Sequence, residues 1–566
     1  MRDSLQARLR ARVEEEPERP GLGLLGRDGN CTWRTRGELY ERARAYGSTL
    51  VEHGLKPGDV CCLVLPSEEL GCLCLLATLL VGARPVLVAP PVVRGLHSNL
   101  KAVLEHVVTK TDARVVVGSR EDGDLAVELA PRITATAFLF DQAIFDRQDS
   151  SGVELAFPDE SDTAALQLTS GTTGFPRVCV WSQKGVLAGL DGMWEAMRAS
   201  ADDVCFNWTP LYHDMGLVNN FLLCLCQGLP LVMLPTTDFI RRPALWLRGL
   251  SSTASTITWS PNFGFALAAG RIKEQELEGV RLEHVRAFWN AAERIHAETT
   301  EVFQRRFADI GVRPEALKTN FGCAENVGGA TFSDVDGLSK LDRLDRRRLF
   351  EDGVATPVSG SETQDGVVSV VGVGRPYPGL SIEILSAEGK PLGERQVGEI
   401  ALRTPSRMMG YLDDPDATHR ALHGDLLRTG DFGYMSDGEL FWTGRVTERI
   451  TLFGRKYDPS DFEPVLLNVP GLRKGCFAAF GVDDSELGTQ RLVIVAETSE
   501  SLEGSRATIE EQIREQVLRQ VGATVGDVVL LAKGTMSKTS SGKRRHRHYR
   551  HLYEEGRLGP SIKNGE

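Results

Sequence analysis

Short apolar runs alternate with helix-length stretches along most of the 566 residues. Val60 to Leu65 and Pro85 to Ala89 are rich in Val and Leu and predict strands, and Glu69 to Val81 between them has the length of a helix. The same rhythm recurs from Leu166 through Val232-Met233-Leu234 to Thr256-Ile257-Thr258-Trp259. It predicts βαβ units, hence an α/β architecture of mixed and parallel sheets flanked by helices. After Arg445-Val446-Thr447 the pattern changes. Ile450 to Phe453, Cys476 to Val482 and Arg491 to Glu497 predict strands, and the amphipathic stretch Ile509 to Gln520 predicts a helix, together a small α+β domain. The segment Ser333 to Gln364 interrupts the alternation. Its run Leu341-Asp342-Arg343-Leu344-Asp345-Arg346-Arg347-Arg348 reads as the solvated face of a helix. No internal repeat or long low-complexity linker is found.

Composition narrows the class. A chain of this length exceeds what one core supports, so at least two domains are expected, and 42% hydrophobic residues suffice to fill them. The net charge of −12 argues against bulk binding of nucleic acid or anionic membranes. Met1 to Pro20 is dominated by Arg and Glu without an apolar stretch, and the longest apolar run, Cys72 to Ala83, is too short to span a bilayer. The 11 cysteines include Cys61-Cys62, Cys72/Cys74 and Cys224/Cys226, all among Leu and Val. An odd count in apolar surroundings favours reduced, buried thiols and a cytoplasmic location over disulfide or metal chemistry.

The chemistry begins at Thr169-Ser170-Gly171-Thr172-Thr173-Gly174-Phe175-Pro176-Arg177, directly behind the apolar run Ala164 to Leu168. A strand that opens into such a loop can wrap a polyphosphate. Glycine lets the backbone approach the phosphates, and neighbouring N–H groups and hydroxyls donate to the oxygens. No Gly-Lys-Ser/Thr follows at Walker spacing, and the dinucleotide glycine pattern is absent. Alone, the loop is equally a polar surface turn. Four further elements follow in order: Asn320-Phe321-Gly322-Cys323-Ala324-Glu325, Thr429-Gly430-Asp431, Gly444-Arg445 with Phe462-Glu463, and Lys538-Thr539-Ser540-Ser541-Gly542-Lys543.

Together these motifs resemble the adenylate-forming superfamily of acyl-CoA synthetases, luciferases and nonribosomal adenylation domains. Trp208-Thr209-Pro210-Leu211-Tyr212-His213-Asp214-Met215-Gly216-Leu217 and Ser260-Pro261-Asn262-Phe263 most resemble the fatty acyl-AMP ligases. The resemblance runs from about residue 32 to about residue 550. It implies a large N-terminal domain over 1–444, a hinge at 445–447 and a mobile C-terminal domain over 448–566 that carries the catalytic lysine. ATP and Mg2+ are then the expected cofactors. Thr169, Ser170, Gly171, Thr172, Thr173 and Gly174 would hold the β- and γ-phosphates, and Glu325 would hold Mg2+, a hard cation suited to a carboxylate. Asn290, Ala291 and Ala292 would line the adenine pocket, with Phe321 stacked on the base beside Gly322. Asp431 would accept from both ribose hydroxyls, supported by Arg445. Lys543 would stabilise charge that develops only during transfer, and His213 would pair with the substrate's anionic oxygen.

Several positions depart from the family pattern. Pro176-Arg177-Val178 stand where relatives carry Pro-Lys-Gly, and Thr447 where the hinge has Asp or Lys. Asn219-Asn220 replace the small residues that leave room for an acyl tunnel, so a short, aromatic or polar acid is expected. Segment 333–364 matches an insertion that restricts the C-terminal domain in fatty acyl-AMP ligases. The acyl acceptor is then a carrier-protein thiol or another nucleophile. An alternative with the same ATP site is a diazotase that adenylates nitrite and delivers it to an aryl amine. A binding-only pseudoenzyme is disfavoured by retention of Glu325, Asp431, Arg445 and Lys543. The basic run Lys543 to His551 by composition also fits a nucleic-acid tail, but its register with the motif favours catalysis.

Overall fold

The computed structural model describes residues 3–90, 97–119, 136–140, 142–145, 153–169, 176–350, 352–358, 366–445, 450–452, 455–457, 459–484, 489–498, 506–538 and 544–558. Two large sheets are built from strands that lie between Pro20 and Tyr411. The first runs, among the described residues, in the order Arg375–Pro376, Gly328–Phe332, Leu317–Cys323, Ala287–Ala291, Ile257–Pro261, Cys205–Asn207, Leu231–Met233, Pro20–Leu25, Cys31–Thr35. Its centre is parallel and its two ends are antiparallel. The second runs Gly410–Tyr411, Val178–Ser182, Thr163–Leu168, Arg84–Leu87, Val60–Val64, Ala113–Gly118, Ala137–Leu139, parallel except at the end that holds Val178–Ser182 and Gly410–Tyr411.

These strands read as continuous apolar runs because both faces are covered. All five residues of Val60–Val64 are buried. The helix Glu69–Leu80 is apolar all round, with every residue from Gly71 to Leu80 buried, and one core joins it to side chains of both sheets. All 11 cysteines are free, and all but Cys31 are buried, in keeping with the expected reduced thiols. No helix among the described residues is long and apolar enough to cross a membrane.

An antiparallel sheet follows, built on Gly398–Arg403, Leu426–Ser436 and Glu439–Arg445. Beyond it, Leu472–Asp484, Thr489–Thr498 and Val525–Leu531 form a three-stranded sheet. Period-two alternation gives this sheet two apolar faces. Phe477, Ala479, Leu492, Ile494 and Ala496 face Ile509, Ile513 and Val517 of the helix Arg506–Val521, while Ala478, Phe480, Val493 and Val495 face Tyr549 of the helix His546–Glu554. Both cores draw only on residues from 450 onward.

The segment read as a solvated helix face is different. Leu341–Asp345 is a strand, antiparallel to Val367–Val371, and only Arg346–Phe350 is helical. Leu344 is fully buried beside Val368, Val370, Leu349 and Phe350. Burying such a side chain contributes about 2 kcal/mol, and with cross-strand pairing this outweighs the helical appearance of the charges.

Candidate active site

The predicted phosphate loop leaves Thr163–Leu168 and returns along the antiparallel strand Val178–Ser182. Thr169 N donates to Arg177 O at 2.9 Å, pinning the two feet of the loop. Ser170, Gly171, Thr172, Thr173 and Gly174 lie outside the described residues. On the entering strand, Gln167 Nε2 donates at 3.0 Å to the carbonyl of Tyr212, tying this strand to the turn that carries His213. On the leaving side, the Arg177 guanidinium is 3.7 Å from the Asp414 carboxylate and lies over the Tyr411 ring at 5.4 Å. The cation at this position is thus held by neighbours of the loop.

His213 caps the turn Asp214–Gly216. Its Nδ1 lies 2.6 Å from Asp214 Oδ1 and 3.2 Å from Met215 N, which itself donates to Asp214 Oδ1 at 2.9 Å. One nitrogen cannot both donate to the carboxylate and accept from Met215. The shorter, charge-assisted contact fixes the proton on Nδ1 and leaves Nε2 as the ring's other polar atom. The turn continues into a π-helical stretch, Leu217–Leu222, a geometry often found at functional sites. Asn219 and Asn220 sit in it, 3% and 0% exposed. Their amides, expected to face an acyl tunnel, are partly taken by backbone. Asn219 Oδ1 accepts from Gly329 N at 3.3 Å, and Asn220 Nδ2 donates to Met215 O at 2.9 Å. Asn220 Oδ1 has no partner among the described residues. This stretch touches both Cys205–Asn207 and Gly328–Phe332, which lie on either side of Ile257–Pro261, Ala287–Ala291 and Leu317–Cys323 in the first sheet. Trp259 and Trp289 on those strands share its apolar core, stack at 6.1 Å and are fully buried, and both indole Nε1 atoms are unpartnered among the described residues.

Asn290 ends the neighbouring strand. Its Nδ2 donates to Asn262 Oδ1 at 3.1 Å, and its Oδ1 is a further buried atom without a partner among the described residues. Ala291 is buried, and Ala292 adopts φ +70°, a left-handed conformation that costs a non-glycine residue about 1 kcal/mol or more and concentrates at functional sites. Glu293 turns back to accept from Phe263 N at 2.7 Å.

Phe321 is buried in the core, and Gly322 is required by a close approach. A Cβ there would stand 2.3 Å from the carbonyl oxygen of Gly328. The strand then turns through Ala324–Asn326 into Val327, a β-branched residue at φ +53°. Such a backbone persists only where its surroundings over-determine it. Trp181 Nε1 donates to Ala324 O at 2.7 Å, Met408 N to Glu325 O at 2.8 Å and Ser406 Oγ to Asn326 O at 2.9 Å. The Glu325 side chain is half-buried, and its Oε1 accepts from the Tyr411 hydroxyl at 2.7 Å. Burial, then the Glu325 charge, raises the Tyr411 pKa far above the phenolic range, so the hydroxyl is a permanent donor. No basic side chain pairs with Glu325 among the described residues.

Asp431 is 2% exposed on Leu426–Ser436, where it accepts from Trp442 Nε1 at 3.2 Å and stands opposite Arg445 across the strand pair. The side chain of Arg445, together with Thr447 and Lys543, lies outside the described residues. Burial foremost, then the charges of Glu325, Asp431 and Asp214, push the buried Cys323 thiol well above the ordinary range. The predicted metal, ribose and acid-side carboxylates thus all lie within electrostatic reach of one thiol.

A charged seam joins this region to the C-terminal cores. Asp461, 3% exposed, meets Arg294 at 3.4 Å and Arg346 at 3.1 Å. Arg346 also lies over the Tyr457 ring at 5.3 Å. Glu463 meets Arg544 at 2.7 Å and His296 at 3.5 Å. Burial opposes its charge, but Arg544, His296 and His546 outweigh that and hold its pKa down at about 2. Sequence reasoning missed Tyr411, Trp181, Trp442 and the partners of Glu463 in this seam. Trp442 acts across one strand pair, 11 positions from Asp431, and the others act across long sequence separations, which periodicity does not report.

No cluster of three His, Cys, Asp or Glu side chains among the described residues is arranged to hold a metal. A single carboxylate with one oxygen anchored nevertheless suits a cation whose remaining ligands are phosphate oxygens and water.

The AMP-binding enzyme family matches residues 9–412. The chain is 28% identical to a putative acyl-CoA synthetase of Caulobacter vibrioides (strain NA1000 / CB15N), covering 92% of each chain. It is 32% identical to the medium-chain-fatty-acid–[acyl-carrier-protein] ligase JamA of Moorena producens (strain JHB), covering 71% of this chain and 70% of that one. Among solved structures, one from a study of fatty acyl-adenylate ligases from E. coli and L. pneumophila superposes with a TM-score of 0.90 at 27% identity over 98% of both chains.

Proposed function

The chain belongs to the AMP-binding enzyme family of ATP-dependent, AMP-forming ligases, and from that premise we propose that it adenylates a small aromatic or polar acid and passes the acyl group to a carrier-protein thiol. The observation that carries the acid assignment is the buried Asn219-Asn220 pair in the π-helical stretch, sharing a core with the Trp259–Trp289 stack. Two amides and two indoles fill space that an alkyl chain would need. They also leave buried polar atoms that hydrocarbon cannot satisfy, at about 1–3 kcal/mol each.

In the first half-reaction a carboxylate oxygen attacks the α-phosphorus of ATP. The new acyl–O–P bond forms as the bond between the α-phosphorus and its bridging oxygen breaks, and pyrophosphate leaves. In this reading the loop Thr169 to Gly174 holds the β- and γ-phosphates. Asn290 to Ala292, with Phe321 and Gly322, form the adenine side, and Asp431 takes the ribose hydroxyls with Arg445 beside it. His213 lies on the side of the acid's anionic oxygen, and Lys543 neutralises charge that grows in the transition state. Glu325 would hold Mg2+, which when bound neutralises phosphate charge. In the second half-reaction the thiol sulfur attacks the acyl carbon and loses its proton as AMP departs.

The division into 1–444, a hinge at 445–447 and a mobile 448–566 is part of the same reading, supported by the separate C-terminal cores. Arg346 of the 333–364 segment reaches both Asp461 and Tyr457, which supports a restrained C-terminal domain and thus a poor response to CoA. Pyrophosphate release with a panel of fatty acids, aryl acids, and nitrite plus aminobenzoates tests the assignment. Preference for aryl or short polar acids is expected. Preference for long-chain fatty acids would overturn it, and turnover with nitrite and an aryl amine would identify the diazotase form of the chemistry.

A further inference from the structure

The strand that leaves the phosphate loop and the turn that carries Glu325 belong to different sheets, yet they are tied together through one residue. Tyr411 pairs in register with Cys179 of Val178–Ser182, three positions beyond the end of the loop at Pro176. Its hydroxyl crosses to Glu325 Oε1 at 2.7 Å, while its ring receives the Arg177 guanidinium at 5.4 Å. Arg177 in turn pairs with Asp414, 3.7 Å away and just past Tyr411 in the chain. The order of contacts is Asp414, Arg177, Tyr411, Glu325. A carboxylate at the end of a strained turn has two oxygens and free rotation about its last bond. A donor fixed on Oε1 removes that rotation and leaves Oε2 as the oxygen offered to a ligand. Phenol is suited to the task because it is a neutral donor. A lysine or arginine in its place would neutralise the carboxylate and compete with a cation.

We propose that Tyr411 is a positioning residue for the divalent cation, fixing Glu325 so that Oε2 is presented to the metal, with Arg177 holding the tyrosine ring in place. The inference rests on Glu325 as the metal carboxylate. It also gives Arg177 a function: the cation at the foot of the loop acts on the metal side through the tyrosine rather than on phosphate. The strand that leaves the loop and the metal carboxylate then share one scaffold.

The test uses the full chain, Mn2+ as an EPR probe and a non-hydrolysable ATP analogue. Partners that hold a metal ligand from behind typically contribute about 10–100-fold in affinity, so Tyr411→Phe should weaken Mn2+ binding to the enzyme–analogue complex about 10-fold. Analogue affinity in EDTA should match the wild type. The substitution keeps the ring beneath Arg177, so the fold is retained. Arg177→Met, which spares the hydroxyl, should weaken Mn2+ binding by a smaller factor, about 3-fold, because it acts one contact further away. Glu325→Gln should weaken it at least as much as Tyr411→Phe, and the double variant no further than Glu325→Gln alone. Wild-type Mn2+ affinity in Tyr411→Phe together with weakened binding in Glu325→Gln would overturn the proposal and leave the metal reading standing. Wild-type affinity in both would overturn the two together.

Discussion

The carboxylates of the proposed nucleotide side and the amides and indoles of the proposed acid side satisfy their polar atoms in opposite ways. Around Glu325 and Asp431 each functional carboxylate has a defined donor from a neighbouring element: Tyr411 for one, Trp442 for the other. Further out, Asp461 is met by Arg294 and Arg346, and Glu463 by Arg544 and His296. Around Asn219 and Asn220 the balance reverses. Asn220 Oδ1, Trp259 Nε1 and Trp289 Nε1 are buried without partners among the described residues. Buried polar atoms are normally paired, and each exception asks for an explanation. In the proposed reading the nucleotide-side carboxylates are preorganised by the protein, although Asn290 Oδ1 on the adenine side is also buried without a partner among the described residues. The polar atoms proposed to meet the acid are left for the acid to complete, so the two sides should fail differently when altered.

The largest effect is expected on the nucleotide side. Lys543→Ala should lower adenylate formation by about 1,000-fold or more, roughly 4 kcal/mol, because its contribution is confined to the transition state. ATP-analogue affinity should stay within about threefold, the pattern of a lost transition-state interaction. Single-turnover adenylation within about tenfold of wild type, roughly 1.4 kcal/mol, removes Lys543 from this role.

Next comes the paired seam. Glu463 has a folded pKa of about 2, below the ordinary value of about 4.3 for a glutamate. A depressed carboxylate contributes stability that is fully present above the unfolded value and is lost as pH falls through the folded one. Its share, at most about 3 kcal/mol, should therefore be constant from pH 7 to 5 and disappear between about pH 4 and 2. Thermal melts of wild type and Glu463→Gln should converge as pH falls through that window. Melting curves that stay parallel down to pH 2 would show that the pairing contributes nothing.

On the acid side the expected effect is smaller and opposite in sign. Asn219→Gly with Asn220→Gly removes both amides and should raise kcat/KM for acids of about twelve or more carbons by about tenfold, since each buried CH₂ contributes about 0.8 kcal/mol once a cavity exists. Activity on small acids should change less. A wild-type kcat/KM that already climbs steadily from about six to sixteen carbons means the apolar room is present and the polar atoms do not set the substrate.

This contrast also explains what could be read from the chain. The sheets and helices are legible because burial on both faces leaves unbroken apolar runs, as in Val60–Val64 and Glu69–Leu80. The motifs around Glu325 and Asp431 are legible because one strand or turn carries each. Tyr411 is not, because its partner Glu325 is 86 positions away, in a turn that belongs to the other sheet. Leu341–Asp345 was obscured by charge, since its burial depends on Val367–Val371, supplied from later in the chain. The departure Asn219-Asn220 stands out at once, but its use of Gly329 and Met215 as backbone partners needs the fold.

The smallest effect is expected where the seam meets the acceptor. Arg346 is the side chain of the 333–364 segment that reaches Asp461, at 3.1 Å, and the Tyr457 ring, at 5.3 Å. It is about a quarter exposed, so its ion pair is partly screened and contributes on the order of 1 kcal/mol. If that contact restrains the C-terminal domain, Arg346→Ala should release a domain that Arg294 still partly holds through the other side of Asp461. Acyl transfer to CoA should then rise by about fivefold, the equivalent of about 1 kcal/mol, while pyrophosphate release in the first half-reaction stays at the wild-type rate. Arg346→Lys keeps the charge but loses the planar stack on Tyr457, so it should fall between the two. The measurement is acyl-CoA formed from pre-made adenylate. Efficient CoA transfer by the wild type, unchanged in Arg346→Ala, would show that the segment imposes no restraint and would align the chain with the acyl-CoA synthetases.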